Sequence, residues 1–116
     1  MQVIILDGDG NPQTIAVRAP GNATDRTLPI TATDEPFQLL PPNADRSGWL
    51  MQNGSGSNPV FVNELGADPT QPAALGSGPW IVPPGGFFPP PGYDCIPLGA
   101  VMVSGTAGDV VIAREW

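Results

Sequence analysis

Hydrophobic positions in this chain come in short runs broken by turn formers. Val3-Ile4-Ile5-Leu6, Trp49-Leu50-Met51-Gln52, Val60-Phe61-Val62-Asn63 and Ala100-Val101-Met102-Val103 are each bounded by Gly, Pro, Asn, Asp or Ser within a few residues. Windows longer than about eight residues all contain Gly or Pro or lose a 3.6-residue apolar period, so helices of ordinary length have nowhere to form. The pattern predicts an all-β chain. Val3 to Leu6 and Gln13 to Arg18 flank Asp7-Gly8-Asp9-Gly10-Asn11-Pro12, a reversal signal, and predict a first hairpin. Ala19 to Thr27 is polar and reads as a crossing loop or a flexible junction, which makes residues 1–27 an N-terminal hairpin or arm ahead of a domain over 28–116.

Within that domain strands are predicted at Leu28 to Thr33, Phe37 to Leu40, Gly48 to Asn53, Val60 to Asn63, Trp80 to Val82, Gly86 to Phe88, Ala100 to Ser104 and Asp109 to Glu115. The stretch Asn53-Gly54-Ser55-Gly56-Ser57-Asn58 between two β-prone runs predicts a hairpin joining Trp49–Gln52 to Val60–Asn63. Glu64 to Pro79, rich in Gly, Pro and Ala, reads as a long exposed loop. Many short strands at this spacing imply an antiparallel β-sandwich, jelly-roll-like, because each strand must pair and bury one face. Its core draws on Leu28, Ile30, Phe37, Leu39, Trp49, Met51, Val60, Val62, Ile81, Val101, Val103, Val111 and Ala113. Several strands are apolar on both faces, which points to a second buried surface such as a subunit contact.

Composition sharpens this picture. Fifteen Gly and sixteen Pro in 116 residues reach the range where disorder is considered, but 41% hydrophobic and only 13% charged residues describe a chain that buries a core. His and Lys are absent, which removes the commonest general base, the commonest metal ligand and every lysine nucleophile. A net charge of −7 with four Arg repels a phosphate backbone, so nucleic acid is not an expected partner. A membrane is not expected either, since no run approaches the roughly 18 apolar residues of a span. The start of the sequence lacks a basic n-region and a cleavage site, and Cys95 is the single cysteine; both fit a protein made in a reducing cytoplasm.

Candidate chemistry is sparse. Asp7-Gly8-Asp9-Gly10-Asn11 opens like a calcium loop, yet Pro12 and Arg18 occupy the positions that need Gly and a bidentate Glu. The close acid pairs, Asp34 with Glu35 and Glu64 with Asp68, lie in Pro-bounded turns that suit solubility and capping. Cys95 has no His to activate it and reads as a partly buried, inert thiol. Asn22-Ala23-Thr24 and Asn53-Gly54-Ser55 fit the glycosylation acceptor pattern but lack a secretory context. Neither a catalytic residue, a metal ligand nor a cofactor is expected, and the chain does not read as an enzyme. Trp80, Phe87, Phe88, Tyr93 and Trp116 concentrate among Pro-rich turns of the C-terminal half, where large rigid rings serve either a core or an interface.

Asp45-Arg46-Ser47-Gly48-Trp49-Leu50-Met51-Gln52-Asn53 followed by Asn58-Pro59-Val60-Phe61-Val62-Asn63, then Ile81-Val82-Pro83-Pro84-Gly85-Gly86, Pro97-Leu98-Gly99-Ala100-Val101-Met102-Val103 and Arg114-Glu115-Trp116, resembles small structural proteins of tailed-phage and prophage morphogenesis clusters. The resemblance covers about Leu28 to Trp116. Each block also has a physical reading of its own: Arg46 can return its guanidinium to carbonyls or a carboxylate, Asn53 and Asn63 can close Asx turns, and Gly85 and Gly86 can supply positive φ. What the resemblance implies is a virion protein, a capsid decoration or cement protein on the outer surface of the head. Its partner would be the major capsid protein, and it would itself be a dimer or trimer. A head-fibre, collar or tail component binding a receptor or glycan is the alternative, with Trp80 or Tyr93 and Asp94 at a sugar site. The interface expected on these grounds comprises Val3, Ile5, Leu6, Leu65, Leu75, Trp80, Phe87, Phe88, Tyr93 and Trp116.

Overall fold

The computed structural model describes the backbone of Gln2–Leu6 and Pro12–Ala16 and all atoms of residues 23–70 and 78–116. Eleven strands and no helix are found there. β1 (Gln2–Leu6) and β2 (Pro12–Ala16) pair antiparallel in register Leu6 with Pro12, the hairpin expected from their sequence. The remaining nine strands are β3 (Thr24–Asp25), β4 (Leu28–Pro29), β5 (Phe37–Leu40), β6 (Trp49–Asn53), β7 (Val60–Asn63), β8 (Trp80–Val82), β9 (Phe87–Phe88), β10 (Val101–Ser104) and β11 (Val110–Glu115). They form two antiparallel sheets, β5-β10-β7-β8 and β3-β11-β6-β9, with β4 also on β11.

The pairing is nested. From β4 onward the first strand pairs with the last, β4 with β11, then β5 with β10, β6 with β9 and β7 with β8. Such a chain is one long antiparallel ribbon, its tip between β7 and β8, rolled so that successive strands fall in alternate sheets. Two further ladders, β6 with β11 and β7 with β10, close the roll. This is the strand order of a jelly roll, an all-β sandwich that hides most of its strand edges.

Side-chain alternation fills the space between the sheets. β11 buries Val111, Ala113 and Glu115 and turns Val110, Ile112 and Arg114 outward, while β6 buries Trp49, Met51 and Asn53. Facing them are Leu39, Leu40, Val60, Val62, Val82, Val101 and Val103, with Ile30 at one end. Each of these aliphatic side chains contributes about 1.5–3 kcal/mol through removal from water. Leu28 and Phe37 pack only partly against the core.

Three local events shift the expected arrangement. A bulge in the β5–β10 ladder leaves Leu39 unpaired between the pairs Leu40–Val101 and Gln38–Met102, so Leu39 and Leu40 both point inward. On β8 the inward residue is Val82 rather than Ile81, which is 66% exposed; a one-residue change of phase exchanges the faces of a strand. The third correction concerns β6 and β7, which are not a hairpin pair but belong to opposite sheets. The turn formers between them close a crossover instead. The Asn53 amide donates to Asn58 O at 2.8 Å and to Val82 O at 3.0 Å, its Oδ1 accepts from Ser55 N, and Ser55 Oγ accepts from Ser57 and Asn58 N.

β3 extends the larger sheet back to Thr24, within the stretch read as a crossing loop, by pairing with Arg114 and Glu115. Between β3 and β4 the edge is stitched by Arg26 N to Ala113 O and by Ala113 N to the Thr27 hydroxyl. Gly85 has the positive φ expected of it, +74°, whereas Gly86 serves closeness: a Cβ there would lie 3.0 Å from Pro83.

Polar seams hold one end of the roll. Arg46, whose side chain is fully buried, donates to the carbonyls of Pro41, Pro97 and Gly99 and lies 3.5 Å from Glu115 Oε2, the use of its guanidinium anticipated from sequence. Glu115 also accepts from Asn43 at 2.7 Å and lies 3.4 Å from Arg26 Nε. Arg46→Met, close in volume, strands three carbonyls and takes one of two cations from the buried Glu115 carboxylate. It is expected to lower unfolding free energy by about 3–5 kcal/mol in a urea titration; a loss below about 1 kcal/mol would show that water replaces the guanidinium.

Candidate interaction site

An aromatic group occupies the side of the sandwich where β8 and β9 are the edge strands. Phe88 is its centre, with ring centroids 5.6 Å from Trp49, 5.9 Å from Trp80 and 5.7 Å from Tyr93; Trp80 meets Tyr93 edge-on at 6.0 Å. The Pro89-Pro90-Pro91-Gly92 segment forms a turn closed by Tyr93 N to Pro90 O with Gly92 at φ +87°, and this turn delivers Tyr93. Asn63 places the acid that meets it. Asn63 Oδ1 accepts from Leu65 N, the Asx turn expected there, so that Glu64 points inward and its Oε1 accepts the Tyr93 hydroxyl at 3.2 Å. Glu64 is therefore a buried residue and not a solubilising turn acid, and its Oε2 has no hydrogen-bond partner.

Beside this group lies a cleft of about 200 Å³ lined by Gly48, Trp49, Pro89, Tyr93, Asp94, Cys95, Ile96 and Trp116. Trp116 is held by a tight seam: Ser47 and Gly48 N donate to its carbonyl, and its own N donates to Gly48 O. Its indole packs so closely on Gly48 that a Cβ there would fall 2.4 Å from Cε2. The Trp49 Nε1 donates to Cys95 O across the cleft floor. Cys95 is exposed, correcting the partly buried thiol expected from the sequence.

A second surface is the outer face of the β3-β11-β6-β9 sheet. Ile112 stands opposite Gln52, and Gln52 opposite Phe87, so the three lie in one row with Leu50 and Val110 beside it. Leu50 is 40% exposed, Phe87 55%, Val110 37% and Ile112 38%. Gln52 ties its amide to Gly85 O, and Arg114 bounds the face through its pair with Asp25 at 2.7 Å. Thr27 donates twice to Asp25, and Thr70 twice to Asp68; these bonds hold both carboxyls below their usual range.

The expected interface residues separate into several groups. Trp80, Phe88 and Tyr93 meet, but Phe88 is buried and supports the others from beneath; it is not available to a partner. Phe87, its neighbour in sequence, turns to the outer face with Leu50 and Ile112. Trp116 reaches Tyr93 only across the cleft, and Leu65 is exposed in the turn after β7. Trp80, the alternative sugar platform, is not among the residues lining the cleft with Asp94. The side chains of Val3, Ile5 and Leu6, and all of Leu75 and Asp7–Asn11, lie outside the described residues. Leu50, Val110 and Ile112 were not anticipated as interface residues, although Val111 and Ala113 in the core already require Val110 and Ile112 to face outward. Asn53, one of the two glycosylation-type asparagines, is fully buried. Among the described residues no group of three or more His, Cys, Asp or Glu is assembled to hold a metal ion. No family model, curated protein or solved structure matches this chain.

The buried surroundings of Tyr93 push its phenol up to about 12, above the ordinary 10.0; loss of water is the largest cause, followed by the Cys95 side chain and the charge of Glu64. The folded state therefore holds this proton more tightly than the unfolded chain. The resulting stability is complete below pH 10 and lost as pH rises towards 12. Tyr93 is the single tyrosine, so ultraviolet difference absorbance reads it directly. Ionisation is expected near pH 12, moving down in Glu64→Gln; a midpoint at 10 in the unmodified protein contradicts the partial burial of the phenol and its contact with Glu64.

Proposed function

We propose that this chain is a structural component of a tailed-bacteriophage virion, a decoration protein that attaches to the outer surface of the head and reinforces the major capsid lattice. The observation that carries the reading is the outer face built by Leu50, Phe87, Val110 and Ile112, a largely apolar surface crossed by Gln52 and bounded by Arg114, on the most regular sheet of the molecule. Contiguous exposed apolar residues of this kind mark surfaces that bind other proteins. The exposed acids Asp34, Glu35, Asp45 and Asp68 lie in turns instead, where they keep the particle surface soluble. The sequence blocks that resemble those of phage morphogenesis proteins support the same reading, and their polar residues Arg46, Asn53, Asn63 and Glu115 are all buried in the scaffold.

Attachment to assembled lattice alone stabilises it by mass action, so the protein raises the resistance of the shell to heat or pressure without turning anything over. Copies would assemble as a dimer or trimer on the capsid surface. The half-exposed Trp80, braced by Phe88 and Tyr93, favours the second reading, a collar or tail component with a sugar-stacking platform.

Mass spectrometry of purified particles distinguishes the two. Decoration predicts copies in numbers comparable to the major capsid protein. It also predicts that Phe87→Ser with Ile112→Ser weakens attachment about tenfold or more while leaving the unfolding midpoint nearly unchanged. A handful of copies per particle, with glycan binding lost on Trp80→Ala, overturns the decoration role.

A further inference from the structure

We infer that the cleft between Tyr93 and Trp116 receives an arginine side chain presented by the protein to which this domain attaches. Only the partner's identity rests on the reading above; the chemistry of the cleft stands on its own residues.

Its walls are aromatic. Trp116 is held against Gly48 and remains 36% exposed, and Tyr93 lines the same cleft while its hydroxyl donates to Glu64. Its charge is negative. Asp94 is an exposed carboxylate in no ion pair among the described residues, and behind Tyr93 the Glu64 Oε2 is buried without a partner. Every described Arg is engaged elsewhere, Arg26 and Arg46 with Glu115 and Arg114 with Asp25, so none neutralises the cleft from within. A hydroxyl donating to a carboxylate also enriches the Tyr93 ring in electron density, which strengthens its attraction for a cation.

Size narrows the ligand. About 200 Å³ is below the range of sites for drug-sized molecules and suits one side chain. An anion is repelled, and a neutral ring gains nothing from Asp94. Of the two protein cations, guanidinium is flat, weakly hydrated and able to stack on an indole while pairing with a carboxylate, whereas ammonium is compact and strongly hydrated.

Cys95 provides the readout, since it is the single cysteine, exposed and part of the cleft wall. The full chain is titrated with N-acetyl-arginine methylamide, and the rate at which a disulfide reagent labels Cys95 is followed together with tryptophan emission. Saturable slowing of labelling is expected, with the citrulline analogue about fivefold weaker or worse, the lysine analogue intermediate, and Asp94→Asn reducing the arginine effect about fivefold. Asp94 is exposed, so this variant keeps the fold. Absence of protection up to about 0.1 M probe, a concentration that would fill even a very weak site, overturns the inference, as does equal protection by citrulline. Protection by the arginine probe in a protein found absent from virions would leave the cleft assignment standing and remove only the proposed partner.

Discussion

A single guanidinium ties together parts of this molecule that lie far apart along the chain. Arg46 gathers the carbonyls of Pro41, Pro97 and Gly99 and stands against Glu115, so the crossing from β5 to β6, the approach to β10 and the end of β11 share one buried donor. Nested pairing makes that necessary. A ribbon rolled first strand to last has its open end far from its tip, and nothing in the ladders alone fixes how that end closes. Buried ion pairs add little to stability when compared with apolar replacements. This one differs because most of its bonds go to carbonyls that apolar side chains cannot satisfy. Gly48 and Trp116 complete the closure from the other side, through reciprocal backbone bonds and an indole laid on a glycine.

That closure also explains the distribution of charge. Three of the four arginines are spent on internal pairs, so that among the described residues the acids of the turns have no ion-pair partner, and the net charge is −7. A net charge of this size makes copies repel one another, which opposes association through the apolar face. A partner offering a greasy complement to Phe87 and Ile112 together with positive charge for the turn acids would overcome this repulsion.

Strand existence was legible because period-two alternation is a local property. Val60 and Val62, Val101 and Val103, and Val111 and Ala113 announce their strands, but Phe61, Met102 and Ile112 make both faces apolar, so the sequence alone leaves the inward face open. Pairing was less legible. Asn53 to Asn58 contains the residues of a hairpin turn, and the same residues close a crossover once Asn53 turns inward and binds Val82 O, a partner 29 positions away. Leu40 could not be placed without the bulge at Leu39, nor Val82 without the register of β8 on β7. The chemistry of Glu64 was hidden for the same reason: its burial depends on Tyr93, which lies beyond the loop it begins. The Arg46 and Asn63 bonds were anticipated because a buried fork of donors and an Asx turn follow from residue type and immediate neighbours.

The candidate surfaces share their supports, and this bears on how tightly they could bind. β6 and β11 form the longest ladder of the sandwich, five residue pairs from Val111–Asn53 to Glu115–Trp49. Leu50 and Ile112 project from it to the outer face, Trp49 and Ala113 to the core, and Gly48 and Trp116 continue it into the cleft wall. Apolar face and cleft are thus held in a constant spatial relation by hydrogen bonds that exist before any partner arrives. Ordering side chains on association costs about 0.5–1.5 kcal/mol each, and that term is small where the groups are already packed. A chain with so much Gly and Pro can therefore present a rigid binding surface, because those residues are concentrated in its turns and the strands that carry the contact residues are almost free of them.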